Sequence, residues 1–177
     1  MTGFGVVERI GPRFVHVAHG TIRPRRGSAL AARLAFLQQA LVELILRERP
    51  DVAAVERVFV AASPRAALVL GHARGVALAA VGAAGLAVHE YAPSQIKQAV
   101  TGTGAADKRQ VQTMVQRLLV LALPPPRDAA DALAAALCHG HAGVLAVHGD
   151  ARRGRASPER AAWTRFVAAR AAGAPRP

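Results

Sequence analysis

Two aspartates open an alanine-rich, apolar segment of the chain, Asp128-Ala-Ala-Asp131-Ala-Leu-Ala. The chain has 11 acidic residues against 23 basic ones, so a close pair of carboxylates is unusual for it. Residues three apart share one face of a helix, where two like charges repel. Two interpretations follow. Either Asp128 caps the helix and Asp131 favours its dipole, or the pair holds a metal cation.

A third carboxylate, Glu56, lies in the otherwise apolar segment Ala-Val-Glu-Arg-Val-Phe-Val. A carboxylate in a buried strand is costly unless it is paired, lies at the strand end or binds a metal. The structural alternative is an ion pair with Arg57 or Arg74. Together, Glu56 and the two aspartates are oxygen ligands of the type that suits Mg²⁺ or Mn²⁺. Such ligands support two-metal hydrolysis of phosphodiesters.

The two lysines of the chain, Lys97 and Lys108, flank the loop Thr-Gly-Thr-Gly at 101–104, whereas the other 21 basic residues are arginines. They are either ordinary solvated lysines or groups that contact phosphate and neutralise charge near the metal. Phe59 follows Glu56 by three residues. It is either a core residue or an aromatic residue that stacks on a base.

The net charge of +12 and the isoelectric point near 11.7 favour a polyanionic partner, either nucleic acid or an anionic membrane surface. A single cysteine, Cys138, excludes an internal disulfide framework and fits a reducing compartment. The sequence shows no secretory signal, and its longest uncharged apolar run, residues 75–88, is shorter than the roughly 20 residues of a membrane span. We predict a cytoplasmic protein without a membrane partner.

Periodicity predicts the element order β-β-α-β-α-β-α-α-α. The strands are predicted at 4–10, 13–22, 52–60 and 87–91, with the first two joined at Gly11-Pro12. The helices are predicted from Ser28 to about Arg49, from Ser63 to about Gly82, and over 93–100, 107–120 and 128–147. Alternation of strands and helices implies an α/β fold with at least part of the sheet parallel. We predict one domain over 1–148 and a basic, flexible tail over 149–177.

Four segments resemble the RuvC family of Holliday-junction resolvases, in order and with matching spacing. They are Ala54-Val-Glu-Arg-Val-Phe59, residues 67–76, residues 91–112 and residues 128–134. The resemblance runs from Thr2 to about His141, and Thr2-Gly-Phe-Gly-Val is similar to the second strand of the family.

The resemblance implies an RNase H-like fold, a mixed sheet flanked by helices. It implies a homodimeric endonuclease that nicks two opposed strands of a four-way DNA junction during recombination and repair. The implied cofactors are two Mg²⁺ ions per active site, with Mn²⁺ as a substitute. The implied protein partner is the branch-migration helicase complex.

The resemblance also assigns residues. Glu56, Asp128 and Asp131 match the acidic metal ligands, and Lys97 and Lys108 match basic catalytic residues near them. The residues assigned to DNA contact are Phe59, Arg65, Arg74, Lys97, Lys108 and Arg109.

This sequence departs from the family pattern in one respect. The family begins with a central strand that ends in an Asp-Pro-Gly turn, and the aspartate of that turn is a metal ligand. Neither the strand nor the turn precedes Thr2 here. We therefore predict an N-terminally truncated domain, in which neighbouring strands lack backbone partners and the active site lacks one ligand.

Two alternatives remain open. One is a catalytically incomplete protein of the same fold that binds junctions without cutting them. The other is an RNase H-like nuclease that acts on other branched or RNA-containing duplexes, which the segments around Lys97 and Lys108 argue against.

Overall fold

The computed structural model describes residues 1–57, 63–146 and Arg165. Its strands are β1 (Thr2–Ile10), β2 (Arg13–Ile22), β3 (Val52–Glu56) and β4 (Ala87–Tyr91). Its helices are α1 (Leu30–Glu48), α2 (Pro64–Ala83), α3 (Pro93–Thr101), α4 (Lys108–Leu118) and α5 (Arg127–Ala146). The predicted element order is confirmed. Phe59 and all of the predicted tail at 149–177 except Arg165 lie outside the described residues.

β1 and β2 form an antiparallel hairpin that turns at Gly11, whose φ of 60° suits glycine. Successive side chains of a strand point to opposite faces. In β1, Phe4 packs against the cluster of α1 and α2, whereas Val7 packs against the cluster around α5. Gly3 and Gly5 share the α5 face with Val7, and their missing side chains let α5 approach the strand closely.

β3 and β4 are parallel neighbours, in register from Val52 opposite Ala87 to Glu56 opposite Tyr91. Ala53 packs on the cluster that Ile45 of α1 and Val81 of α2 share, whereas Ala54 and Tyr91 pack on the α5 side. The predicted parallel pairing is thereby confirmed. The register also places the Glu56 carboxylate beside a residue of β4 that contacts α5.

The four strands form two separate pairs within the described residues, because β1 bonds only to β2 and β3 only to β4. The N-terminal truncation of the domain stays a prediction. Helix α5 packs across both pairs, and its Leu133 and Leu137 are fully buried. Burying a leucine contributes about 1.5–3 kcal/mol, so these two side chains hold α5 firmly on the sheets.

Helix boundaries follow local chemistry. Ser63 caps α2, as predicted, because its hydroxyl accepts a hydrogen bond from the Ala66 amide at 3.2 Å. Asp107 caps α4 in the same way through the Gln110 amide. The prediction that α1 begins at Ser28 is wrong. The Ser28 amide bonds to the Arg25 carbonyl in a turn, and α1 begins two residues later.

Candidate active site

Two elements bring the three predicted acidic residues together. β3 ends at Glu56, and the first turns of α5 carry Asp128 and Asp131. The buried residues Ala129, Ala130 and Leu133 anchor that end of α5, which leaves both aspartates half-buried at its surface. The site therefore lies where the carboxyl end of a parallel strand meets the amino end of a helix.

The pKa shifts of Glu56 and Asp131 reflect burial and electrostatic repulsion between neighbouring carboxylates. Partial burial raises the pKa of Glu56 above its ordinary value, and the neighbouring Asp131 raises it further. Burial also raises the pKa of Asp131, and the negative charge of Asp128 raises it further. The positive charges of Lys108 and Lys97 oppose these shifts, because they lower the pKa of both Glu56 and Asp131. All five residues predicted from sequence to be catalytic therefore form one electrostatic cluster.

Asp128 is not a helix cap. The carbonyl of Pro126 accepts the first intrahelical bond, from the Ala130 amide at 2.8 Å, so Pro126 holds the capping position. Asp128 lies in the first turn, where a negative charge still favours the helix dipole. The capping interpretation of Asp128 is therefore wrong, and the interpretation that Asp131 favours the helix dipole stays a prediction.

Glu56 forms no ion pair with Arg57 or Arg74, the two arginines proposed for it. Arg74 donates to Glu90 at 2.6 Å, and Arg57 lies 4.0 Å from the other oxygen of the same carboxylate. The alternative that paired Glu56 with Arg57 or Arg74 is therefore wrong. Glu90 lies on the α2 side of β4, opposite to the side of its neighbours His89 and Tyr91. This period-two alternation was the signal that could have identified Glu90 as the partner of an arginine on α2. The contact of Arg74 with DNA stays a prediction.

The donor chemistry of the site fits a hard divalent cation. Carboxylate oxygens are the ligands of Mg²⁺, which is commonly held by one or two carboxylates together with water and substrate phosphates. The charge of Asp131 acts on Glu56, and the charge of Asp128 acts on Asp131. Within the described residues, no group of three His, Cys, Asp or Glu side chains converges on one ion. The site thus offers pairs of carboxylates rather than a closed cage.

The remaining predicted DNA contacts lie on several elements. Lys97 is half-buried on α3, and Lys108 and Arg109 are exposed in the first turn of α4. Arg65 is exposed in the first turn of α2, in a cleft beside α1. The structure brings the two lysines to the acidic cluster, and the roles of Arg65 and Arg109 stay predictions.

Sequence reasoning missed a polar contact between α5 and β4. The Tyr91 hydroxyl and the His139 Nδ1 lie 2.8 Å apart, and the His89 ring lies 4.4 Å from the His139 ring. Burial and His89 lower the pKa of His139, which favours the neutral ring that can accept this hydrogen bond. The face of α5 that carries Asp131 also carries His139, two turns further on. That spacing was the available signal.

Comparison with known proteins identifies the family to which this chain is similar. Residues 1–139 match the family described as crossover junction endodeoxyribonuclease RuvC. The protein of that name from Bordetella avium is 53% identical over 144 residues, which cover 81% of this chain and 80% of the relative. The one from Hyphomonas neptunium is 52% identical over 140 residues, 79% of this chain and 84% of the relative.

Solved structures agree. The structure of Thermus thermophilus RuvC in complex with a Holliday junction substrate matches with a TM-score of 0.77 at 33% identity. The match covers 81% of this chain and 88% of that one. A second structure of Thermus thermophilus RuvC matches with a TM-score of 0.73. The predicted RNase H-like fold is confirmed, and this chain belongs to the RuvC family of crossover junction endodeoxyribonucleases.

Proposed function

We propose that this chain resolves four-way DNA junctions by paired, metal-dependent nicking of opposed strands during recombination and repair. The observation that carries the proposal is the electrostatic cluster of three carboxylates and two lysines at the ends of β3 and α5. The family match supports it, since nucleases of this family are metal-dependent.

In this proposal Glu56, Asp131 and Asp128 would hold Mg²⁺, or Mn²⁺ in its place, with two ions per site. When bound, such ions supply an activated water and stabilise the leaving oxygen in phosphodiester hydrolysis. The raised pKa values of Glu56 and Asp131 support this assignment, because a site that crowds partly buried carboxylates is stabilised by a cation.

The chain's own cations have a separate role. Lys97 and Lys108 act on the same carboxylates and would lie beside the scissile phosphate. Their ammonium groups would offset the negative charge that develops on the phosphate oxygens in the transition state. Lys97 is half-buried, so its charge is less screened by water than that of the exposed Lys108.

Nicking of a synthetic four-way junction in Mg²⁺ or Mn²⁺ tests the proposal. We expect Glu56→Gln and Asp131→Asn to abolish nicking while junction binding persists. Asp51→Asn is the matched control, because it removes an exposed carboxylate outside the cluster. Retained nicking by Asp131→Asn would reject the assignment of this residue.

A catalytically incomplete junction-binding protein is the second candidate. The specific observation in its favour is that the described residues supply carboxylate pairs and no converging group of three. Junction binding without nicking in either metal would favour this candidate. Nicking of RNA-containing duplexes in preference to junctions would instead favour a nuclease with another substrate.

We further propose that an additional strand pairs with β1 and β3 and contributes an aspartate to the site. The support is the absence of any hydrogen-bonded partner between the two strand pairs within the described residues. Intact-mass measurement of the protein purified from its natural source tests this. A mass that corresponds to a start at Met1 would contradict the additional strand.

We propose that the protein works as a homodimer in which α2 contributes to the interface. Leu68, Val69 and Leu70 of α2 are 65%, 39% and 43% exposed, a run of apolar surface that a second copy would cover. Leu68→Asp should give a monomer in light scattering, whereas Leu123→Asp, at a still more exposed apolar residue outside α2, should not. A dimer that survives Leu68→Asp would reject this interface.

By length and composition alone, α2 would also pass for a membrane span. We nevertheless propose a cytoplasmic location without a membrane partner, since the substrate is DNA. Flotation with lipid vesicles tests this, and co-flotation would contradict it. Binding to the branch-migration helicase complex stays a prediction from the resemblance.

A further inference from the structure

The loop between β2 and α1 carries an unusual concentration of positive charge. Residues 23–27 read Arg-Pro-Arg-Arg-Gly, and residues 9–42 contain six arginines and no acidic residue. Arg23, Arg25, Arg26 and Arg33 of the first turn of α1 line one concave surface of about 430 Å³. We call these four residues the arginine loop.

The guanidinium groups of the arginine loop are open to an external anion. All four arginines are exposed, and none lies within 4.0 Å of a carboxylate among the described residues. Four like charges around one concavity repel each other, so the surface is stabilised when a polyanion binds to it.

Two hydrogen bonds order the loop, one between side chains and one between backbone atoms. Arg23 Nε donates to the Thr21 hydroxyl at 3.1 Å, and the Ser28 amide bonds to the Arg25 carbonyl at 3.4 Å. Gly27 has a φ of 79°, which lets the chain turn sharply before α1. The arginines are therefore presented from a defined turn, which reduces the ordering cost of binding.

The arginine loop lies at the same end of the hairpin as the acidic cluster. Ile22 pairs with Thr2, and Thr21 pairs with Gly3. Gly3 packs directly against the backbone carbonyl of Asp128. The chain thus leaves β2 next to the end of α5 that carries the carboxylates. An anionic strand cut at that cluster would pass over the loop.

We infer that the arginine loop binds the DNA backbone of a junction arm next to the cut site. This inference rests on the proposed action on four-way junctions and adds a second basic surface to Lys97 and Lys108. Exposed arginines on a turn suit bidentate contact with phosphates. Such contacts position the duplex without reading its sequence.

A charge-matched pair of double variants tests the inference. Arg25→Gln/Arg26→Gln removes two charges from the arginine loop. Arg9→Gln/Arg13→Gln removes two exposed charges at the Gly11 end of the same hairpin, roughly 27 Å away along β1. Binding to a fluorescent four-way junction is measured without divalent cations over a series of KCl concentrations. Each lost phosphate contact should lower the slope of log K against log[salt] by about 0.9.

We expect the loop variant to lower this slope by about 1.8, and the control variant to leave it unchanged. Equal decreases of the slope in both variants, or no decrease in the loop variant, would overturn the inference. The proposed function would still stand in that case if the parent protein nicks junctions. Failure of the parent protein to bind any DNA would overturn both. Loss of binding to anionic phospholipid vesicles, with DNA binding unchanged, would assign the loop to a membrane instead and overturn the inference.

Discussion

Replacement of Gly5 by alanine should displace the acidic end of α5. A Cβ atom at this position would lie 2.7 Å from Cγ and Cδ2 of Leu133 and 2.8 Å from its backbone nitrogen. Ordinary van der Waals contact begins at 3.4 Å. Leu133 is fully buried in the core, and a backbone atom cannot rotate away from the clash. The helix must therefore move as a unit.

The size of the effect follows from these distances. Relief of the clash requires α5 to move by about 0.7 Å at Leu133, two residues beyond Asp131. Overpacking of this kind costs about 1–3 kcal/mol, and the loss of glycine flexibility in the unfolded chain returns up to about 1 kcal/mol. We expect a net loss of about 1–2 kcal/mol in unfolding free energy. Since a 1 Å misplacement costs about 100-fold in rate, nicking should slow by about 10- to 100-fold.

Urea unfolding and single-turnover nicking measure the two effects separately. Gly82→Ala in α2 is the control, because a Cβ atom there would meet nothing within 4 Å. This change should leave the nicking rate unaltered and raise stability by up to about 1 kcal/mol. A Gly5→Ala protein with unaltered stability would refute the close packing of α5 on β1.

Two further predictions concern the cluster and the helix that carries it. Burial and Asp128 raise the pKa of Asp131 in the folded protein. The ionised carboxylate therefore destabilises the fold at a pH above this raised pKa, and the destabilisation vanishes below the ordinary pKa of 3.8. Asp131→Asn should therefore be more stable than the parent at pH 7, with a difference that shrinks on acidification; equal or lower stability of the variant at pH 7 would contradict this. A double-mutant cycle of Tyr91→Phe and His139→Ala in urea unfolding should give a coupling of about 1 kcal/mol, and independent effects would show that the 2.8 Å contact stabilises nothing.

Local sequence chemistry predicted most of the elements. β2 and β4 have the predicted bounds, and the caps Ser63 and Asp107 mark helix starts through side-chain hydrogen bonds. Both features depend on residues close together in the chain. The start of α1 was mispredicted because Ala29, which has no side chain that can cap a helix, holds the capping position in place of Ser28.

The identity of the acidic residues in the candidate site could be predicted from the sequence, whereas their tertiary contacts could not. The spacing of Asp128 and Asp131 placed both on one face of α5, and the position of Glu56 in an otherwise apolar segment identified the third carboxylate. The alternative that paired Glu56 with Arg57 or Arg74 was wrong, because both arginines lie next to Glu90, and this neighbour is set by tertiary packing rather than by local sequence. The close approach of α5 to β1 at its glycines is a tertiary contact that no local pattern shows.

Nicking of a labelled four-way junction by the parent protein and by Asp131→Asn, in Mg²⁺ and in Mn²⁺, decides whether the acidic cluster is the catalytic site. Junction binding is measured in parallel for both proteins. We predict paired nicks from the parent protein, no nicks from the variant, and junction binding by both. Nicking by Asp131→Asn at the rate of the parent would contradict the claim that the cluster around Glu56 and Asp131 is the catalytic site.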